Sequence, residues 1–316
     1  MKRLLITGYS GFVGNHLAEL LQGNYHVNLL GRKPSNLGNF FNHNLDSTST
    51  YADALENVDV VVHCAARVHV MDDKATDPLN EFRAINTHGT LNLAKQAVQA
   101  GVKRFIFLSS IKVNGEGTTN QNPYTALDTP RPEDPYGISK AEAEQQLLTL
   151  GKETGMEIVI IRPPLVYGEG VKSNFGSLMR FVGKGFPLPF RAIKCNKRSL
   201  VSVYNLADLI KVCIECPKAA NQILLVSDDN DLSTAEMVSL MAKVQSRKNL
   251  ALPVPVWFFK LAGKLINKND IIDRLTGSLQ LDITHTKNSL DWKPPFSVEH
   301  GFTLAAKNFK KLTNGF

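Results

Sequence analysis

The stretch LLITGYSGFVGNHLAELL, beginning at Leu4, sets Gly8, Gly11 and Gly14 between an apolar, β-favouring run and an amphipathic helical pattern. A strand, a glycine-rich turn and a helix in that order form a seat for a pyrophosphate. One glycine permits the tight turn, one lets backbone N–H groups approach the phosphates, and one lets the helix pack on the strand. The helix N-terminus then faces the negative charge. The context makes the signal, since three glycines alone make only a flexible turn.

The rest of the first half fits that start. RLLIT, HVNLL, VDVVVHCA, KRFIFLSS and MEIVIIRP are continuous Val/Ile/Leu runs, and helical patterns separate them. Such runs imply strands buried on both faces, hence a Rossmann-type, doubly wound parallel sheet in an α/β fold. Residues 78–101 read as one long amphipathic helix stopped by Gly101, and a helix starts near Pro135. After Pro163 the rhythm breaks into short apolar pieces, prolines and basic residues. Residues 1–162 are therefore expected to be the dinucleotide-binding domain. Residues 163–316 are expected to be mainly a smaller substrate-binding cap, with a return strand to the sheet near 222–227. The loop NGEGTTNQNPYTALDTPRPEDP is long enough to suggest a lid.

The end of the second strand bears on the cofactor. A carboxylate there would bind the ribose 2′-hydroxyl of NAD, whereas NLLGRKP offers Arg32 and Lys33. Two cations favour a 2′-phosphate, so NADP(H) is expected ahead of NAD(H). Tyr136, alone among the seven tyrosines, has a lysine, Lys140, four residues on. That spacing puts both on one helix face. An ammonium there is expected to lower the phenol's pKa from about 10 towards neutrality, for proton transfer to a sugar or alcohol oxygen. The preceding strand ends in Ser109 and Ser110, at the carboxyl edge where such sheets place their chemistry.

Glycines, serine and YxxxK in this order resemble the short-chain dehydrogenase/reductase superfamily, and in particular its extended branch of nucleotide-sugar epimerases, dehydratases and reductases. DVVVHCAA, INTHGTLNL, IRPPLVYGEG, NKRSLVSVYNLADLI and TKNSLDWKPPFSVEHGF extend the likeness over nearly the whole chain. The resemblance implies Ser110, Tyr136 and Lys140 as catalytic residues, with Ser110 preferred to Ser109. It implies Gly8, Gly11, Phe12, Val13, Gly14, Arg32, Lys33, Asp46, Ala65, Ala66, Asn86, Tyr136, Lys140 and Pro163 around the cofactor. Ser110, Lys112, Asn174 and Arg198 would meet the substrate, with Arg198 on its diphosphate. A homodimer through the helices at 78–100 and 135–154 is implied as well.

On this reading the chain moves a hydride between NAD(P) and C4 of a UDP-linked sugar, and a 4-keto-sugar reductase is expected first. A UDP-hexose 4-epimerase, acting on UDP-glucose or a UDP-N-acetylhexosamine, is the alternative. Leu165 stands where epimerases of the family carry a substrate-binding Asn, and Lys112 where a small or hydroxyl residue is usual. A 4,6-dehydratase is disfavoured because SSIKVNG replaces that group's acidic pair. A non-catalytic dinucleotide sensor is the reading from a different class, and the Tyr/Lys pair speaks against it.

The net charge of +7 is scattered and favours an anionic ligand, without the concentrated patch of a nucleic-acid binder. Cys213 and Cys216 spell CxxC, but in a helical pattern with no second Cys/His pair, so helix packing is expected. His63, His69 and His88 fall on the cofactor side of the resemblance, and no metal site is expected. A strand beginning at Arg3 leaves no place for a signal peptide, and no run reaches the length of a membrane span. A cytoplasmic enzyme is expected. VPVWFFKLAGKLI interleaves apolar residues with lysines. It reads first as a cap helix over the substrate, and only second as a membrane-surface segment.

Overall fold

The structure is a computed structural model that describes residues 1–68, 77–172, 174–265 and 269–313. In chain order the elements are β1 (Arg3–Thr7), α1 (Phe12–Leu21), β2 (His26–Gly31), β3 (Asn39–Asn42), α2 (Ala52–Leu55), β4 (Val60–His63), α3 (Pro78–Arg83), α4 (Thr90–Gln99), β5 (Arg104–Leu108), α5 (Pro135–Thr154) and β6 (Glu157–Arg162). There follow β7 (Leu165–Tyr167), α6 (Asn174–Gly183), β8 (Leu200–Ser202), α7 (Val203–Glu215), β9 (Ile223–Leu225), α8 (Thr234–Val244), α9 (Val256–Leu265), α10 (Asn269–Thr276), α11 (Thr284–Leu290) and α12 (Val298–Thr313).

Seven strands pair in parallel in the order β3-β2-β1-β4-β5-β6-β9. The chain runs outward from β1 to β3, then returns to the other side of β1 with β4. The crevice above the carboxyl ends of β1 and β4 is therefore the switch point where such sheets take ligands. Because side chains alternate along a strand, Leu4, Ile6, Val60, Val62, Ile106 and Val159 face one core with α1 and α7. Leu5, Val61, Phe105, Phe107, Ile158 and Ile160 face the other, with α2, α4 and α5. Burial on both sides is why these strands read as unbroken apolar runs.

A third core belongs to the later residues. Tyr167, Phe175 and Phe302 pack ring against ring at 4.9–5.1 Å, with Met179, Met237 and Met241 around them. A two-stranded parallel sheet, β7 with β8, links this core to the main one. The short strand β3, NFFN, lies at the sheet edge and carries no apolar run to announce it.

Two segments differ from their sequence reading. The helix expected at 78–101 is divided: α3 and α4 are joined by a π-helical stretch, Ala84–Gly89. There the side chain of Asn86 leaves the helix surface to bond Arg67's backbone and Ser139, and Thr87 Oγ1 donates to the carbonyl of Ser139 at 2.9 Å. The suspected lid is tied down as well. Thr118 N donates to Ser278 O, Tyr124 N to Gln280 O and Asp282 N to Tyr124 O, each at 2.8 Å.

Candidate active site

The turn after β1 shows why glycine is required there. Gly8 sits at φ +71°, and a Cβ on it would lie 2.6 Å from Ala65 N. A Cβ on Gly14 would strike the backbone of Gly8 and Tyr9. The turn thus closes against both the end of β4 and the first turn of α1, where Gly11 N donates to Gly8 O at 2.9 Å.

This turn opens into a cavity of about 910 Å³. Of the residues implied at the cofactor, Gly8, Gly11, Phe12, Val13, Gly14, Arg32, Asp46, Ala65, Ala66, Tyr136, Lys140 and Pro163 line it, and so does Ser110. Lys33 and Asn86 do not. Asn86 is fully buried and holds Arg67's backbone at the rim, accepting from Arg67 N at 2.8 Å. Asp46 already accepts from Thr48 N (2.9 Å), Ser49 N (2.7 Å) and Ser49 Oγ (2.9 Å), and these bonds hold its carboxyl below the usual range. A glycine cradle, a helix N-terminus and a cavity of this size fit a dinucleotide.

The far end of the cavity gathers the polar groups. Asp134 caps α5 by accepting from Gly137 N at 2.7 Å, with Pro135 at the first helical position, and this fixes Tyr136 in the first turn. Lys140, one turn on, is almost wholly buried. Its ammonium donates to Leu108 O at 2.8 Å and lies 4.3 Å from the centre of the Phe107 ring. Burial pushes Lys140 down to about 7. The expected lowering of Tyr136 is corrected by the structure. Burial, and then the Asp134 carboxylate, push its phenol up to about 12, with only the Ser110 hydroxyl opposing.

The two serines separate. Ser110 lies on the cavity side of the strand end, next to Tyr136. Ser109 is buried, and its hydroxyl donates to Glu144. Glu144 in turn pairs with Arg162, whose Nη2 lies at 2.5 Å, and Arg162 Nη1 donates to Asn114 Oδ1 at 2.9 Å. This buried network ties the ends of β5 and β6 to α5 just behind Lys140. Nothing in sequence spacing marks it, because its members lie far apart in the chain.

A second cleft of about 590 Å³ lies on the cap side, and Asp134, two positions before Tyr136, is in its wall. Arg198 lines it too, anchored by donating to Arg274 O at 2.9 Å, and Arg274, Lys260, Glu116 and Asp273 share the lining. The structure does not bring Lys112 or Asn174 into either cleft. Asn174 opens α6 at the surface. Lys112 is held by Glu116 at 2.9 Å and Asp134 at 2.5 Å. Its position makes it a brace for the cap of α5. Lys112→Met should leave the Asp134 charge uncompensated, raise the Tyr136 pKa further, and move the acid limb of the kcat–pH profile upward by up to about one unit. Lys112→Arg should restore it, and an unmoved limb would refute the brace.

The histidines that the resemblance puts on the cofactor side separate. His63 is buried between the hydroxyls of Thr7 (2.7 Å) and Thr90 (3.0 Å), and burial pushes it down to about 3. His88 is exposed, and His69 lies outside the described residues. Among the described residues no cluster of three potential metal ligands occurs. Cys213 packs inside α7 and Cys216 caps it, their carbonyls accepting from Arg104 Nη1.

Comparison with known proteins adds sequence relationships. Residues 4–224 match the model described as the NAD dependent epimerase/dehydratase family. The chain is 54% identical over 318 residues to a protein of Vibrio cholerae named UDP-glucose 4-epimerase, covering 99% of this chain and 97% of that one. Among solved structures it is similar to UDP-glucuronic acid 4-epimerase from Bacillus cereus in complex with NAD. There the TM-score is 0.79 and the identity 20%, with 98% of this chain and 99% of that one covered. UDP-glucose 4-epimerase from Thermotoga maritima, with UDP-glucose, gives 0.78 at 21% identity over 98% and 99% of the two chains. At those identities the structures speak to the fold.

Proposed function

This chain belongs to the NAD-dependent epimerase/dehydratase family, and from that premise we propose that it interconverts the C4 epimers of a UDP-hexose, UDP-glucose and UDP-galactose first. The observation that carries the reading is the near-full-length likeness to the Vibrio cholerae protein. The convergence of Ser110, Tyr136 and Lys140 on one cavity supports it. The sequence alone favours a 4-keto-sugar reductase, whereas the comparisons favour the epimerase.

In this reading Tyr136 takes the proton of the 4-hydroxyl as the phenolate, a form that the ammonium of Lys140 and the positive charge of an oxidised cofactor would favour against burial and Asp134, and later returns it. Ser110 hydrogen-bonds the same oxygen, so that the oxygen stays in place while its charge changes. Lys140, when protonated, puts a positive charge on the phenol's side of the helix, although burial pushes it down to about 7. Arg198 and Arg274 give the cap cleft two cations for a diphosphate. Gly8, Gly11, Gly14 and the start of α1 would hold the dinucleotide pyrophosphate. The cofactor supplies the hydride acceptor and donor and, when oxidised, a positive charge. NAD fits the family, whereas Arg32 on the cavity rim, with no carboxylate at the end of β2, favours NADP. Four free cysteines suit a reducing, cytoplasmic setting. A homodimer through the helical segments at 78–100 and 135–154 belongs to the same reading.

The Arg32 rim, beside the Leu165 departure, keeps a reductase as second reading, since a reductase exchanges its cofactor at every turnover. The test is conversion of UDP-glucose to UDP-galactose, combined with chromatography of the nucleotide released on denaturation. Epimerisation with tightly held NAD+ is the expected result. An inert protein towards UDP-hexoses that oxidises NADPH with a UDP-4-keto-sugar would overturn the epimerase.

A further inference from the structure

Two segments of the cap carry cations and no carboxylate at all. Residues 170–207 hold seven Lys/Arg, and residues 237–269 hold six. The fold lays them on each other. Leu252 N donates to Leu188 O, Arg191 N to Leu252 O, and the rings of Phe190 and Phe259 meet at 6.1 Å. Arg180, Lys184, Arg191, Lys194, Lys260 and Lys264 are exposed, and none has an ion-pair partner among the described residues.

α9 stands in this field and is apolar on more than one side. Phe259 and Gly263, four apart, make its buried contact. Trp257, Phe258 and Leu261 face solvent at 65%, 51% and 50% exposure, and Leu250 and Leu252 just before them are about half exposed. A cap helix packed over the substrate would bury such residues, yet among the described residues of α9 only Val256 and Lys260 reach the cleft. Aromatic and leucine side chains set among unpaired lysines and arginines are the pattern of an interfacial helix: the rings enter the headgroup region, and the cations meet lipid phosphates. A second copy does not suit this face, because a two-fold contact would set the same cations against one another.

We propose that the face formed by α9 and the neighbouring basic segment docks on an anionic lipid surface, reversing the sequence expectation for VPVWFFKLAGKLI. The docking is peripheral: among the described residues no helix is long and apolar enough to cross a membrane.

The chain contains its own probe. Of its two tryptophans, Trp257 is exposed, whereas Trp292 is buried with Nε1 donating to Asp208 at 2.8 Å. The full chain is titrated with vesicles of phosphatidylglycerol and phosphatidylethanolamine, and in parallel with phosphatidylcholine vesicles. Trp257 emission should shift to the blue, and the protein should sediment, with the anionic vesicles alone. Both effects should vanish at about 1 M salt, where the screening length is about 3 Å. Lys260→Ala with Lys264→Ala should weaken partitioning about thirty-fold, at about 1 kcal/mol per cation. Trp257→Ala with Phe258→Ala should stay in the supernatant while keeping the wild-type Tm. Unmoved emission with the protein left in solution would overturn the proposal. So would undiminished vesicle binding by the Trp257/Phe258 variant, or self-association that this variant abolishes.

Discussion

Tyr136→Phe is expected to lower kcat by about 10²–10⁴-fold, the usual worth of a positioned acid–base group, while leaving cofactor affinity within a few-fold of wild type. The variant removes one hydroxyl and keeps the ring that packs edge-on against Phe82 at 6.1 Å. Burial and Asp134 push that hydroxyl up to about 12, so at neutral pH it holds its proton, and the variant removes the group placed to give and take it. Two measurements separate chemistry from binding: steady-state rates with the UDP-sugar, and fluorescence titration with NAD+ and NADP+. Retained turnover with intact folding would refute the assignment of Tyr136. Joint loss of turnover and nucleotide binding would show instead that Tyr136 serves the cofactor site.

The second large effect concerns stability. Glu144→Gln should cost about 3–5 kcal/mol, because it leaves the guanidinium of Arg162, 1% exposed, without its countercharge inside the protein. In a chain of this size that corresponds to a fall in Tm of roughly 5–10 °C. The loss belongs to the broken pair and not to either charge alone. Replacing both partners, Glu144→Gln with Arg162→Met, should therefore recover a substantial part of it. Thermal unfolding of the two single variants and the double variant gives the coupling directly. Additive losses would mean that the pair is not the unit of stabilisation.

Those two sites mark how far the sequence could be read. Tyr136, Lys140 and the glycine turn are legible because their partners are local: four residues apart on a helix, or three apart in a turn, so spacing encodes geometry. The strands β1, β2, β4, β5 and β6 are legible for the same reason, since burial on both faces writes itself as an apolar run. Glu144 and Arg162 were silent, because two charges that satisfy one another in the interior look like any surface pair until the fold brings them together. The acidity of Tyr136 departs from its sequence reading on similar grounds. The lysine four residues on was visible, but the depth of burial and the nearness of Asp134 were not. Lys112 reads as a substrate residue from its position after the serine, and the acids that occupy it, Glu116 and Asp134, stand at opposite ends of one loop that only the fold brings together. The π-helical stretch was also hidden, because one extra residue in a helical turn barely disturbs a 3.6-residue pattern.

The order in which the sheet is completed has a consequence for how the chain is made. β6, with the sequence EIVIIR, has β5 on one side, and its other neighbour, β9, arrives only after β7, α6, β8 and α7 have been synthesised. While the ribosome builds the cap, the backbone of an apolar strand is exposed along one edge, the kind of surface on which nascent chains pair wrongly with one another. The cap and the nucleotide half therefore share one folding fate: the first cannot be deferred without leaving the second open, and the last hydrogen bonds of the sheet are supplied by residues that follow much of the cap.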